Sequence, residues 1–223
     1  MPDLKIDPKL MFNNLSRNMT DVFQQNKDVQ VTIFLVAFIV ILLLVMGIYI
    51  RTKRNLNETN CNNLDEIYTD FPVISSMNPS EEKNKYLLRD YYIKTAYNSC
   101  CGGEFKNNVV NVCALKKCIQ QGARCLDFEI YSVDNKPVIA TSSVDDFFIK
   151  ETYNSVSFED AMDVINSYAF SGSTCPNPRD PLILHFRISS NNKTIYDQMA
   201  DTLQKKLSSK VLGKEYSYEF EGY

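Results

Sequence analysis

Residues 122–139 read GARCLDFEIYSVDNKPVI, and this stretch decides the fold. It predicts a short strand, a polar turn and a second strand that begins at Pro137. The first strand alternates between an apolar face, formed by Leu126, Phe128 and Ile130, and an acidic face, formed by Asp127 and Glu129. Two buried carboxylates need a cation or hydrogen-bond donors, because an uncompensated buried charge is costly. We therefore expect a charged site on one face of a buried strand.

The segments on either side of this hairpin complete an α/β pattern. The predicted elements are, in chain order, a strand over 92–95, a helix over 108–121 that Gly122 ends, the two strands of the hairpin, a helix opened by the capping box at 157–160, a strand over 182–188 and a helix that begins within 194–197. Strands that alternate with helices are typical of a (β/α) barrel. The sequence therefore predicts an α/β fold, either a barrel or a half-barrel.

Residues 31–50, VTIFLVAFIVILLLVMGIYI, are the longest apolar stretch of the chain. As a helix they cover about 30 Å without a charged side chain, which matches the hydrocarbon thickness of a membrane. A cleaved signal peptide has a shorter apolar core and a small-residue cleavage site, and this stretch shows neither. We therefore predict a transmembrane helix at 31–50 and a single-pass membrane protein.

The regions around this span are predicted from their polarity and charge. An N-terminal polar or amphipathic segment occupies 1–30, a stalk or linker occupies 51–85, and the α/β domain occupies 86–223. Positive residues favour the cytosolic side of a membrane. Three of them follow the span (Arg51, Lys53 and Arg54) and two precede it (Arg17 and Lys27), so the C-terminal domain is predicted to be cytosolic. N-glycosylation sequons lie on both sides of the span and do not decide the orientation, at Asn14, Asn18, Asn57 and Asn192.

Composition argues against a nucleic-acid partner and against a zinc site. A net charge of −3 argues against a nucleic-acid partner. The seven cysteines include no C-x-x-C pair, and His185 is the single histidine, so a zinc site is not expected. Two states stay open for the cysteines: free core thiols in a reducing compartment, which we favour, or one or two disulfides in an oxidising compartment. The many asparagines fit an AT-rich genome, such as that of a large DNA virus.

Four short segments resemble the X region of phosphoinositide-specific phospholipase C, over roughly residues 91–212. Members of that family carry I-N-S-S-H-N-T-Y, then R-C-x-E-x-D, then a strand that ends in His-Gly, then P-x-I-L-S-L-E. The corresponding segments here are IKTAYNSC at 93–100, RCLDFE at 124–129, ATS at 140–142 and PLILHFR at 181–187. The resemblance implies a phospholipase-C-like barrel or half-barrel. In the family, two histidines and a calcium ion cleave a phosphodiester.

The same resemblance implies that the catalytic positions are degenerate. Tyr97 and Thr141 stand where the family has its two histidines, and Asn98 is retained. Asp127 stands where the family has Glu, and Glu129 where it has Asp. Arg187 stands in place of the last acidic ligand. A phenol is a poor base at neutral pH. Calcium tolerates exchanged acids because its coordination is flexible, but an arginine favours a closed charge cluster without metal. We therefore expect no catalytic residue, no metal and no cofactor, with calcium only if the degenerate site still binds it.

Together, these features predict the function. We expect a membrane-anchored, catalytically inactive protein that acts as a structural or docking component, joining a viral inner membrane to its capsid as a minor capsid protein. The expected partners are the lipid bilayer, a capsid or another membrane-associated protein assembly, and a second copy that covers an open barrel edge. Two alternatives stay open. One is a module that binds phosphoinositides or other anions through His185 and Arg187, and the other is a divergent, active phosphodiesterase.

Overall fold

The computed structural model describes residues 27–78, 80–146 and 149–216. The predicted amphipathic segment before Lys27 and most of the tyrosine-rich tail, from residue 217, lie outside these residues. The chain divides into two compact units, Met1–Asn55 and Leu56–Tyr223. The second unit carries all of the segments that resemble phospholipase C.

One long helix, α1 (Lys27–Tyr68), contains the predicted span. Among the described residues it is the one helix that is long and apolar enough to cross a membrane. Its side chains between residues 31 and 50 are exposed, as expected for residues that contact lipid rather than a protein core. The helix also continues through 51–68, which the sequence assigned to a polar stalk. The part of α1 from Leu56 belongs to the second unit, where contacts with that unit hold it as a helix.

The second unit contains one five-stranded sheet and the helices that pack on it. After α1 the elements are β1 (Thr95–Ala96), α2 (Val112–Gln120), β2 (Cys125–Val133), β3 (Lys136–Ile139), β4 (Val156–Ser157), α3 (Phe158–Tyr168), β5 (Ile183–Ile188) and α4 (Thr194–Leu207). Single-turn 3-10 helices lie at Glu82–Asn84, Leu88–Asp90 and Lys214–Tyr216. The α/β fold class predicted from the sequence is therefore present.

Strand β2 is at the centre of the sheet. Strand β5 pairs with it in parallel along one edge, while β1 in parallel and β3 in antiparallel share its other edge. Strand β4 adds to β3. Within the described part of the chain, β5 pairs with no other strand. The sheet is therefore open, as in a half-barrel, and is not closed into a cylinder.

Local sequence explains how the elements begin and end. The turn between β2 and β3 places Asp134 and Asn135 at φ values of 52° and 59°, the pair of positive values that a two-residue type I′ turn requires. Gly122 follows α2 at φ +78°, and a Cβ there would lie 2.9 Å from the carbonyl oxygen of Ile74. Ser157 caps α3 by accepting a hydrogen bond from the Asp160 backbone N–H.

Two boundaries differ from the sequence prediction. The first strand is confined to Thr95–Ala96 and does not begin at Tyr92, whose side chain is fully exposed. Helix α2 begins at Val112, four residues later than predicted, because Asn111 caps it by accepting a hydrogen bond from the Cys113 backbone N–H. Both differences reflect contacts that sequence periodicity does not show.

The hydrophobic core lies on the helix-covered face of the sheet. The apolar residues of β2, namely Leu126, Phe128 and Ile130, are fully buried there. They join buried residues of the helices, chiefly Leu115, Ile119, Phe158, Met162, Ile165, Ile195 and Met199. The odd-numbered residues of β2 point to the opposite face, as the alternation predicted, and that face carries the candidate site.

Candidate functional site

The register of β2 and β5 brings the charged residues together. Asp127 lies opposite His185, and Glu129 lies opposite Arg187, in parallel pairing. Cross-strand neighbours on one face of a sheet lie within side-chain reach of each other. Asn98 follows β1 in a tight turn at φ +48°, and its backbone N–H donates to Asp127 Oδ1 at 3.0 Å. Three strands therefore bring four predicted site residues and His185 onto one face of the sheet.

Arg187 is the centre of this cluster. Its Nη2 donates to Asn98 Oδ1 at 2.6 Å and to Asp127 Oδ1 at 3.0 Å, and its Nε lies 3.1 Å from Asp127 Oδ2. Its Nη1 lies 3.6 Å from Glu129 Oε2. The contact with Asp127 is the two-pronged geometry that a guanidinium makes with a carboxylate. Arg187 therefore contacts all three of the ligand-type side chains that the resemblance identified.

The protonation states follow from these contacts. Burial opposes ionisation of Asp127, but hydrogen bonds from Arg187, from the Asn98 backbone and from His185 outweigh it, so the pKa of Asp127 is held below its ordinary value. Burial likewise disfavours the charge on Arg187, yet its hydrogen bonds to Asp127 and the field of Glu129 raise its pKa. The pair is therefore an ion pair at neutral pH.

Glu129 has a second partner that the sequence analysis did not single out. Tyr131 is buried, and its hydroxyl donates a short hydrogen bond to Glu129 Oε1. Burial and the neighbouring carboxylate raise the pKa of the Tyr131 phenol, so it stays a neutral donor. The alternation of β2 could have revealed it, because Tyr131 falls on the same face as the two acids.

His185 forms a dyad with the buried acid. Its Nδ1 lies 2.6 Å from Asp127 Oδ2, while 60% of its side chain is exposed. Among the described residues, its Nε2 has no hydrogen-bond partner. One nitrogen of the imidazole therefore contacts Asp127, and the other lies on the solvent-exposed side of the ring.

Tyr97 and Thr141, the two positions predicted to replace the family histidines, flank the cluster. Tyr97 is largely exposed, and its ring packs against the Arg187 guanidinium at 4.6 Å from the ring centre. Thr141 is buried and donates to the carbonyl of Phe105 at 2.9 Å, and the Phe105 ring contacts Tyr97. Tyr97 therefore contacts the guanidinium, and Thr141 contacts a backbone carbonyl.

The residues present do not fit a calcium ion. Calcium needs six to eight oxygen ligands. Here the side-chain oxygens of Asn98 and Asp127 accept hydrogen bonds from the Arg187 guanidinium, which also lies beside Glu129. A divalent ion at this position would be repelled by Arg187 unless the guanidinium moved away. Within the described part of the chain, no group of three or more histidine, cysteine or acidic side chains is arranged to hold a metal.

Comparison with known proteins identifies the family. A family model described as phosphatidylinositol-specific phospholipase C, X domain, matches residues 84–220, which is more than half of the chain. The chain therefore belongs to the family of phosphatidylinositol-specific phospholipase C X domains. No curated protein matches the chain.

Solved structures also match the chain. One of the matching structures is the crystal structure of PLC21 from L. pealei, with 20% sequence identity and a TM-score of 0.43. The match covers 53% of this chain and 14% of that chain. The chain therefore matches only a small part of that protein's length.

Proposed function

We propose that this chain is a membrane-anchored, catalytically inactive member of the phospholipase C X family that acts as a structural or docking component. One observation carries the proposal: the Arg187 guanidinium binds the Asn98 and Asp127 side chains and lies beside Glu129. Those side chains match the family's calcium ligands. An internal cation at that position compensates the two carboxylates but cannot activate a substrate hydroxyl as a metal does.

The loss of proton-transfer groups supports the same proposal. Phosphodiester cleavage needs one group that accepts the proton of the attacking hydroxyl and another that protonates the leaving oxygen. The matching positions here are Tyr97 and Thr141. We propose that a phenol packed on a guanidinium and a threonine hydroxyl bonded to a backbone carbonyl do not supply these groups. The domain is therefore proposed to act through its surface.

Two further features support the docking role. The chain has an apolar helix long enough to cross a membrane, and within the described residues strand β5 has an unpaired edge. Unpaired edges are surfaces on which another chain can add a strand. We propose a membrane-associated protein assembly, or a second copy of this chain, as the partner. A virion with an inner membrane is the proposed setting, based on asparagine-rich composition.

An activity assay with a calcium series tests the proposal. The full-length chain in phosphatidylinositol nanodiscs is expected to release no inositol phosphate with calcium or with chelator, and calorimetry is expected to detect no calcium binding. Arg187→Glu, which places the family's acid in the site, is the matched variant and is expected to gain calcium affinity without gaining turnover. Calcium-dependent release by the wild type, abolished by Asp127→Ala, would refute the proposal.

A second candidate function has one observation in its favour. The Asp127–His185 dyad leaves one imidazole nitrogen open to solvent, and a histidine oriented by a buried acid is a common general base. A divergent phosphodiesterase that uses this dyad without metal would remain active in chelator. In the same nanodisc assay, turnover that persists in chelator and disappears in His185→Ala would select this candidate.

The anion-binding alternative requires Arg187 to change partners. Its guanidinium already contacts Asp127, Glu129 and Asn98, so a phosphate would have to displace a buried ion pair. We therefore rank this alternative third. Headgroup binding in a vesicle sedimentation assay that is lost in Arg187→Ala would restore it.

A further inference from the structure

The helix that follows the predicted membrane span is fastened to the α/β domain by a disulfide. Cys61, on the part of α1 that belongs to the second unit, is bonded to Cys113 in the first turn of α2. The Cα atoms lie 6.0 Å apart, within the usual range for a disulfide. From the sequence, free core thiols were the favoured expectation, and one or two disulfides were the alternative.

Polar contacts on both sides of the disulfide also join helix α1 to helix α2 and the residues just before it. Asn111 donates a short hydrogen bond to Asn57, and Asn60 donates to Asn108 Oδ1 at 2.7 Å. Further along the helix, Lys117 Nζ lies 2.5 Å from Asp65. The α1 partners recur every three to five residues, so they form one face of that helix. The two cysteines are therefore neighbours because of the packing as a whole.

Gly102 lies beside the same packing. A Cβ built there would be in ordinary van der Waals contact with Leu64 Cδ1 at 3.4 Å and with Asn60 Cβ at 3.5 Å. The backbone carbonyl of Tyr68 lies 3.4 Å from Gln121 Nε2 at the far end of the same contact.

Two of the unpaired cysteines have a physical reason to stay reduced. The free cysteines are Cys100, Cys101, Cys118, Cys125 and Cys175. Burial raises the pKa of the Cys100 thiol strongly, and it raises the pKa of Cys118 to about 11. The thiolate is the form that reacts with oxidants, so these two thiols resist oxidation. A specific pair can therefore form while buried thiols of the same domain remain reduced.

We propose that Cys61–Cys113 is a native disulfide and that the domain after the span folds on the oxidising, non-cytosolic side of the membrane. Disulfides persist in such compartments and are rare in the cytosol. The two thiols transfer two electrons and two protons to the disulfide of a thiol oxidoreductase, which is left as a dithiol. The charges that favoured a cytosolic domain differ by only one, with three after the span and two before it. We take a specific disulfide as the stronger signal.

Two measurements on one sample test this proposal. The full-length chain with a C-terminal epitope tag is produced in cells, and sealed microsomes are treated with protease. The tag is expected to survive until detergent opens the vesicles. In parallel, free thiols are blocked with N-ethylmaleimide in SDS, and the sample is then reduced and labelled with maleimide-polyethylene glycol. Two labels are expected per chain.

Matched variants identify the labelled pair. Replacing both Cys61 and Cys113 by serine is expected to remove both labels, whereas Cys118→Ser, which changes a free cysteine on the same α2 helix, is expected to retain them. Digestion of the tag in sealed microsomes would overturn the proposal. So would the absence of the two labels in the wild-type chain, because Cys61 and Cys113 would then be thiols.

Discussion

At the residue scale, Arg187 compensates two carboxylates that would otherwise be buried without a cation. Asp127 and Glu129 are 4% and 5% exposed, so Arg187→Ala would leave both charges largely desolvated. Removing one partner of a buried ion pair destabilises a protein strongly. We expect a loss of about 3 kcal/mol in the free energy of unfolding, at the lower end of the range for such pairs because a third of the Arg187 side chain is exposed. Urea unfolding of the detergent-solubilised chain, followed by circular dichroism, measures this loss.

A surface cation provides the control for that variant. Lys206 pairs with Glu159 and Asp163, whose side chains are 64% and 48% exposed against 5% and 6% for the acids beside Arg187. Exposed ion pairs contribute little to stability, so Lys206→Ala should leave the unfolding midpoint nearly unchanged. Equal effects of the two substitutions would show that Arg187 acts as an ordinary surface charge.

The lowered pKa of Asp127 gives a second prediction at this scale. A carboxyl group whose pKa is lower in the folded state stabilises the protein at pH values above its unfolded pKa of about 4. That contribution is lost as the pH falls through the folded pKa. We therefore expect the stability difference between wild type and Asp127→Asn to be constant from pH 7 to pH 5 and to shrink below pH 4. A difference that stays constant down to pH 2 would show that Asp127 is not the titrating group.

The sequence predicted much of this site and missed part of it. Strand alternation alone placed Asp127 and Glu129 on one face, and the resemblance added Asn98 and Arg187. The pairing of Glu129 with Tyr131, and of His185 with Asp127, depends on rotamers and on the register between β2 and β5. A single sequence does not specify either of these.

At the element scale, the start of α3 gives a third prediction. Ser157 Oγ accepts the Asp160 backbone N–H at 3.0 Å, so Ser157→Ala leaves a helix-end donor without its partner. Loss of such a cap costs about 1 kcal/mol. Ser157→Asp keeps an acceptor at the same position and should retain most of the stability. The two thermal unfolding midpoints check this, and equal losses for both variants would contradict the capping role.

Only the first half of helix α1 was predicted from the sequence as a helix. Its span is apolar and was recognised, but its continuation is rich in asparagine, which favours turns over helix interiors. Contacts from Asn57 and Asn60 to the α2 region fix that continuation as a helix. These partners lie about 50 residues away in sequence, so local propensity cannot reveal them. By contrast, the hairpin turn at Asp134 and Asn135 is local and was predicted.

At the scale of the whole molecule, the two buried carboxylates are compensated from within the domain. The side-chain oxygens of Asn98, Asp127 and Glu129 lie against Arg187, while Asn98 Nδ2 is buried without a hydrogen-bond partner among the described residues. Arg187 therefore supplies the positive charge on that face. Partner binding is therefore expected to leave these four residues unchanged and to act on exposed edges instead.

The disulfide provides the last prediction, because it joins the part of α1 that follows the apolar stretch to the α/β domain across 52 residues. Cross-linking a loop of this size stabilises a folded chain by about 2–4 kcal/mol, mainly by restricting the unfolded state. Cys61→Ser should therefore lower the free energy of unfolding by that amount, whereas Cys118→Ser should change it much less. Dithiothreitol should lower the wild type to the level of Cys61→Ser and leave that variant unaffected. Urea unfolding with and without reductant measures all five values. A wild type that is insensitive to reductant would show that the bond does not stabilise the domain.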